Sequence, residues 1–145
     1  MALTSIELAL AEVSDLFDSL VTDSDIVANL DHPPLASELE GRSPIVSTHW
    51  DGGLYQFQGN DFTNFDAAWI VTIFVNREGH NNATAETKLA QVATKIMQKV
   101  RDNVNGTNYM QLAPSNQPMS VYFTVINGVP YRICEIYLVS RTIDN

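Results

Sequence analysis

Ile6, Ala9, Leu10, Val13, Phe17, Leu20 and Val21 recur at three- and four-residue intervals. That spacing lines apolar side chains along one face of a helix and predicts an amphipathic helix over residues 4–21. Asp15 and Asp18 fall on its wet face, and Thr4 with Glu7 has the spacing of a capping box. A second stripe, Leu89, Val92, Ala93, Ile96, Val100 and Val104, predicts a helix over 84–104. Glu86 near its start and Lys95, Lys99 and Arg101 near its end suit the helix dipole, and Gly106 provides a stop.

Between the helices the period changes to two. Residues 67–76 alternate Trp69, Val71, Ile73 and Val75 with Ala68, Ile70, Thr72 and Phe74. Both faces are largely apolar, so this strand is expected at the centre of a sheet, covered on both sides. Residues 44–50 and 54–58 read as two short strands around Asp51, Gly52 and Gly53, whose glycines permit a tight hairpin. Residues 59–66 then read as a polar loop carrying Phe62 and Phe65, and 77–82 as a turn. Near the end, 119–126 and 129–142 are rich in Val, Ile and Tyr and flank Asn127 and Gly128, a strong hairpin signal. Residues 22–43, broken by Pro33 and Pro34, read as a connector, with 25–30 able to form an extra turn. Residues 107–118 read as irregular. Two helices set apart from paired strands predict one α+β domain over 1–145, a mainly antiparallel sheet flanked by two amphipathic helices.

Composition narrows the function. The 145 residues suffice for one domain with a real core. Only 17% are charged, below the usual quarter, which suits a subunit that buries its flanks against neighbours. Net charge is −9, and Lys88, Lys95, Lys99 and Arg101 are interleaved with core positions of one helix. Nucleic-acid affinity rests on clustered cations, so a DNA-tracking surface is not expected. No apolar run reaches membrane-spanning length, and the first residues lack the basic start and apolar stretch of a signal peptide. With one cysteine and no possible internal disulfide, a reducing origin is expected.

No catalytic or metal-binding motif stands out. His32, His49 and His80 are far apart and none has a ligand spacing. Asp23 and Asp25 begin like a calcium loop but lack its glycine and closing glutamate, so capping or turn roles are expected. Cys134 lies in an apolar strand and is expected in the core. Asp61, Asp66 and Glu135 could pair for acid–base work only if folding brings them together. No phosphate-binding glycine loop or nucleophile elbow occurs. No enzyme, cofactor or metal is expected. Trp50, Tyr55, Phe57, Phe62 and Phe65 crowd one polar, glycine-punctuated segment, and are candidates either for a protein interface or for core packing.

The whole arrangement resembles the tail terminator proteins of long-tailed bacteriophages, and more loosely other phage neck and tail-completion subunits. What carries it is a helix over 6–21, a polar connector, the strand Ala68-Trp69-Ile70-Val71-Thr72-Ile73-Phe74-Val75, a loop, the helix over 86–104, and the closing run Glu135-Ile136-Tyr137-Leu138-Val139-Ser140-Arg141. Residues 51–66 are longer than the family pattern. The resemblance implies a virion protein made in the host cytoplasm. Its copies would form a homo-oligomeric ring, a hexamer in that family. The ring would cap the tail tube, end its growth and join the tail to the head connector protein, while DNA passes without specific binding. Other readings are a different head–tail connector or head-completion subunit, and a small ligand-binding or enzymatic domain.

Overall fold

A computed structural model describes residues 6–58, 61–77 and 82–142; side chains are described for these except 54–58, 61–65, 82 and 142. The order is α1 (Ile6–Asp15), α2 (Asp18–Thr22), β1 (Ala28–Leu30), α3 (Ala36–Leu39), β2 (Ile45–Gln58), β3 (Asp61–Asn76), α4 (Asn82–Asp102), β4 (Tyr109–Pro114), β5 (Ser120–Ile126) and β6 (Val129–Thr142). The fold is α+β: one six-stranded, mostly antiparallel sheet with helices packed on it.

The strands run β1-β2-β3-β6-β4, and β5 pairs with β6 beyond that path. The central strand is the expected one, since β3 lies between β2 and β6. One face of β3, with Trp69, Val71 and Ile73, joins the main core beneath α1 and α4. On the other face Phe74 joins a smaller core with Leu39, Ile45, Tyr131 and Ile133. The closing hairpin forms as expected: Asn127 and Gly128 have φ of +50° and +82°, and β5 pairs with β6 from Ile126↔Val129 to Ser120↔Glu135. Positive φ at both turn positions is what makes this dipeptide a hairpin signal.

Five local expectations are corrected. The helix over 4–21 is two helices. The Ser14 carbonyl accepts from Asn29 Nδ2 at 2.8 Å and from the Phe17 amide at 3.1 Å, so its regular helical bond is lost and the chain bends there. The bend leaves Phe17 fully buried; Thr4 lies outside the described residues. The 22–43 connector contains β1, which pairs in parallel with β2, and the one-turn helix α3. Asp51, Gly52 and Gly53 make no hairpin turn. Trp50 faces Trp69 and Gly53 faces Ala67, so two residues of β2 oppose one of β3. That is a β-bulge, with Gly52 supplying a φ of +86°. The 59–66 loop is largely strand as well: β3 begins at Asp61, and pairing continues to Gln58↔Asp61. Finally, the irregular 107–118 stretch contains β4, paired with the end of β6.

Candidate functional site

Of the five aromatics singled out from the sequence, Trp50 sits beside the β2 bulge and is 44% exposed. Its cross-strand neighbour Trp69 is buried and donates from Nε1 to Ser140 Oγ at 2.8 Å. Tyr55 faces Phe65 and Phe57 faces Phe62 along the outer hairpin. Their side chains lie outside those described. Phe62 and Phe65 therefore stand on a strand rather than a loop. The last β3–β6 pair is Asp66↔Arg141, so among the described residues the hairpin beyond it is a two-stranded ribbon. Such a ribbon is marginal alone and is stabilised by packing against another surface.

A surface the sequence did not single out lies at the other end of the sheet. Register with β6 puts Val121 opposite Cys134, Phe123 opposite Arg132 and Val125 opposite Pro130. Cys134 belongs to the main core, so these three β5 residues face the helix side. The flank of α4 that turns toward β4 and Met119 carries the short side chains Ala90, Ala93 and Thr94. A groove of about 810 Å³ runs beside α4, lined from that helix by Met97 and Arg101, from the segment after it by Val104, and from the sheet side by Leu112, Pro114 and Met119. Phe123 is 53% exposed and Val125 66%. Arg77 and Arg132 stack on the Phe123 ring at 4.2 and 4.1 Å. Glu86 of α4 holds Arg132 through both carboxylate oxygens, the shortest contact being 2.6 Å. That pairing keeps the Glu86 carboxyl below the usual range and the guanidinium above it. The alternation of apolar residues over 119–126 was visible in the sequence. Its exposure was not, because that depends on what packs over the strand.

Charge is divided along the chain. The first 41 residues hold nine acidic side chains and no basic one, whereas residues 77–142 hold seven basic and four acidic. The acidic segment builds α1, α2, β1 and α3; β1 is the edge strand opposite to β4 and β5, whereas α1 reaches across to the loop before β4 through Glu12.

The titratable groups do not converge on a catalytic centre. His32 contacts Asp31 at 2.9 Å and Glu38 at 2.7 Å on the surface, and these hydrogen bonds raise its pKa. His80 lies outside the described residues. His49 borders a pocket of about 310 Å³ between Pro33, Pro34 and the sheet, with Thr72, Tyr122 and Glu135. The Glu135 carboxylate there accepts from Tyr122 Oη at 2.5 Å and Tyr137 Oη at 3.0 Å, so both its oxygens are engaged. Burial and that carboxylate push the Tyr122 phenol up to about 12. Asp66 meets Arg141 at 3.3 Å, and Glu135 lies opposite Thr72, six residues farther along β3. At the strand rise that is roughly 20 Å, too far to share a proton. The side chain of Asp61 is not described. Cys134 is buried as expected; burial first, then Glu135, raises its thiol pKa, which disfavours a nucleophilic thiolate. Asp23 caps the C-terminal end of α2, and Asp25 pairs with Lys95 at 2.7 Å. Among the described residues no three His, Cys, Asp or Glu side chains are grouped to hold a metal ion. No helix there is long and apolar enough to cross a membrane. No protein-family model matches the chain, and no curated protein matches it.

Proposed function

We propose that this chain is a structural virion subunit, a tail terminator whose copies close into a ring on the end of a phage tail tube. The ring would stop tube growth and present its other side to the head connector protein. The order of helices and strands that resembles this family motivates the reading. The observation that carries it is the uncovered apolar face beside β5, with the groove along α4. Large exposed apolar patches rimmed by polar groups mark protein interfaces. The two-stranded ribbon of β2 and β3 supplies a second element suited to docking on a neighbour or on the tube. A net charge of −9 opposes adhesion to passing DNA. Two assays test this. Purified protein, alone and mixed with tail tubes, should give ring-shaped particles by electron microscopy and end-bound density on tubes. A filter-binding assay with duplex DNA at low salt should show no retention. Monomers that ignore tube ends, or tight DNA binding, would refute the reading.

The pocket under Pro33 and Pro34 favours a second reading, a small ligand-binding module. Its volume is at the small end of ligand sites, and Glu135 is already engaged by two tyrosines. Thermal stabilisation by a small molecule that is abolished by Ile70→Trp, which fills the pocket, would move the weight there.

A further inference from the structure

The sheet face that carries the smaller core also carries a polar row. The register sets Ser47 of β2 opposite Thr72 of β3, and Thr72 opposite Glu135 of β6. Neighbouring strands are about 4.8 Å apart, so the row runs about 10 Å from Ser47 to Glu135. Phe74 flanks it on one side and Ile70 on the other, and Pro33 and Pro34 complete a pocket of about 310 Å³ over it. Ser47 is 1% exposed and Thr72 7%. Neither hydroxyl has a hydrogen-bond partner among the described residues. His49, which lines the same pocket, has its Nδ1 buried without a partner. Buried polar groups are normally hydrogen-bonded, so three such groups on one pocket mark a place where a bound molecule completes them. We infer that this pocket binds a small organic ammonium ion, an alkylamine or amino alcohol, with its cation between Glu135 and Thr72. This rests on the ligand-binding reading of the pocket and names the ligand; it holds whether or not copies of the chain form a ring.

Charge selects the cation. Glu135 is the one acid on the pocket, and among the described residues no lysine or arginine lines it. Its carboxylate accepts from Tyr122 Oη at 2.5 Å and from Tyr137 Oη at 3.0 Å, one bond on each oxygen. The two phenols fix the carboxylate, and each oxygen keeps a lone pair for a further donor. An ammonium N–H is such a donor and brings the opposite charge, which makes the bond roughly twice as strong as a neutral one. An alcohol would leave the charge unpaired, and an anion would meet it directly. Thr72 stands opposite Glu135, with Cβ atoms about 5 Å apart, so one ammonium group reaches both and the Thr72 hydroxyl accepts its second proton. Shape selects the remainder. Ile70, Phe74 and the two prolines present carbon to whatever follows the cation. The volume suits a molecule of a few carbons, since it lies at the small end of ligand sites. A hydroxyl at the far end of that chain would meet Ser47 and His49, one strand farther from Glu135 than Thr72 is.

The test is a series of four small molecules of one shape, followed by saturation-transfer difference NMR on the full chain. Butylamine, its hydroxyl-terminated analogue aminobutanol, butanol and butyrate are titrated at about 0.15 M salt, where diffuse attraction to the acidic chain is screened. The two amines should give saturable signals, aminobutanol binding the tighter, and butanol and butyrate should bind at least about tenfold more weakly. Glu135→Gln should weaken both amines at least about tenfold, and Thr72→Val, which keeps the side-chain size, roughly fivefold. Ser47→Ala should cancel the advantage of aminobutanol and leave butylamine unchanged. If Glu135→Gln fails to fold, the wild-type series and Thr72→Val decide, and an unchanged amine affinity in Thr72→Val overturns the inference. Butanol or butyrate binding as well as butylamine overturns it too, and leaves a ligand pocket of another chemistry standing. Amine binding that survives Glu135→Gln and Ile70→Trp lies elsewhere on the acidic surface and overturns it. No amine signal also overturns it, and the pocket reading is then decided separately by the Ile70→Trp comparison with other small molecules.

Discussion

Glu12 on α1 holds the first helix to the loop between α4 and β4. Its carboxylate accepts from the Thr107 amide at 2.5 Å, the Asn108 amide at 3.2 Å and Asn108 Nδ2 at 2.8 Å. Gly106 lies against it so closely that a Cβ there would overlap Glu12 Oε1 and come within 2.6 Å of Tyr109 Cε1. Glu12→Ala removes three bonds to a charged acceptor. Each such bond contributes about 1.5–3 kcal/mol when water cannot replace it. Glu12 is half-buried and Thr107 is exposed, so water recovers part of this. A net loss of about 2–3 kcal/mol is expected, a fall of about 6–9 °C in the thermal midpoint for a domain of this size. Gly106→Ala attacks the same contact from the other side by displacing the carboxylate, and should cost about 1–3 kcal/mol. Because both changes break one contact, the double variant should lose at least about 1 kcal/mol less than the sum of the single losses. Urea titrations of the four proteins measure this. Strict additivity would show that Glu12 and Gly106 do not meet, and the contact between α1 and that loop would have to be abandoned.

Three further outcomes are expected. Ile96 is fully buried in the main core, so Ile96→Ala should destabilise by about 2–5 kcal/mol, and an unchanged denaturant midpoint would contradict the packing of α4. The Thr48 hydroxyl is buried without a partner, so Thr48→Val should raise stability by about 1 kcal/mol, whereas a loss of similar size would reveal a hydrogen bond at that site. His32 should titrate above its ordinary 6.5, because Asp31 and then Glu38 hydrogen-bond its ring. The support this gives is present below 6.5 and is lost as pH rises through the raised value. Glu38, held low by the Leu35 amide and then by His32, lends its share above 4.5 and loses it as pH falls through its lowered value. An imidazole titration followed by NMR with a midpoint at or below 6.5 would refute the pairing.

What the sequence revealed and what it hid follow from the range of the interactions involved. The stripe from Leu89 to Val100 and the Asn127–Gly128 turn are local patterns, and α4 and the β5–β6 hairpin follow directly from them. Gly52 was ambiguous because a tight turn and a bulge both need positive φ there. Only the pairing of 54–58 with 61–66 distinguishes them, and that register is set by distant residues. β4 was hidden because its own bulge, between Met110 and Ala113, interrupts the period of two. The split of the first helix depends on Asn29, fifteen residues away from Ser14. Interface candidates were sought among clustered aromatics. The surface beside β5 is instead an ordinary apolar strand left exposed on one face, and what packs over a strand is a relation no local pattern contains.

The central claim is that copies of this chain assemble into a closed ring, and particle mass tests it most directly. Mass photometry and sedimentation equilibrium of the untagged protein should find one discrete species at a fixed multiple of 16.1 kDa, sixfold in the family it resembles, that does not grow further with concentration. A species that remains at 16.1 kDa across the accessible concentration range, both alone and with tail tubes present, would contradict it.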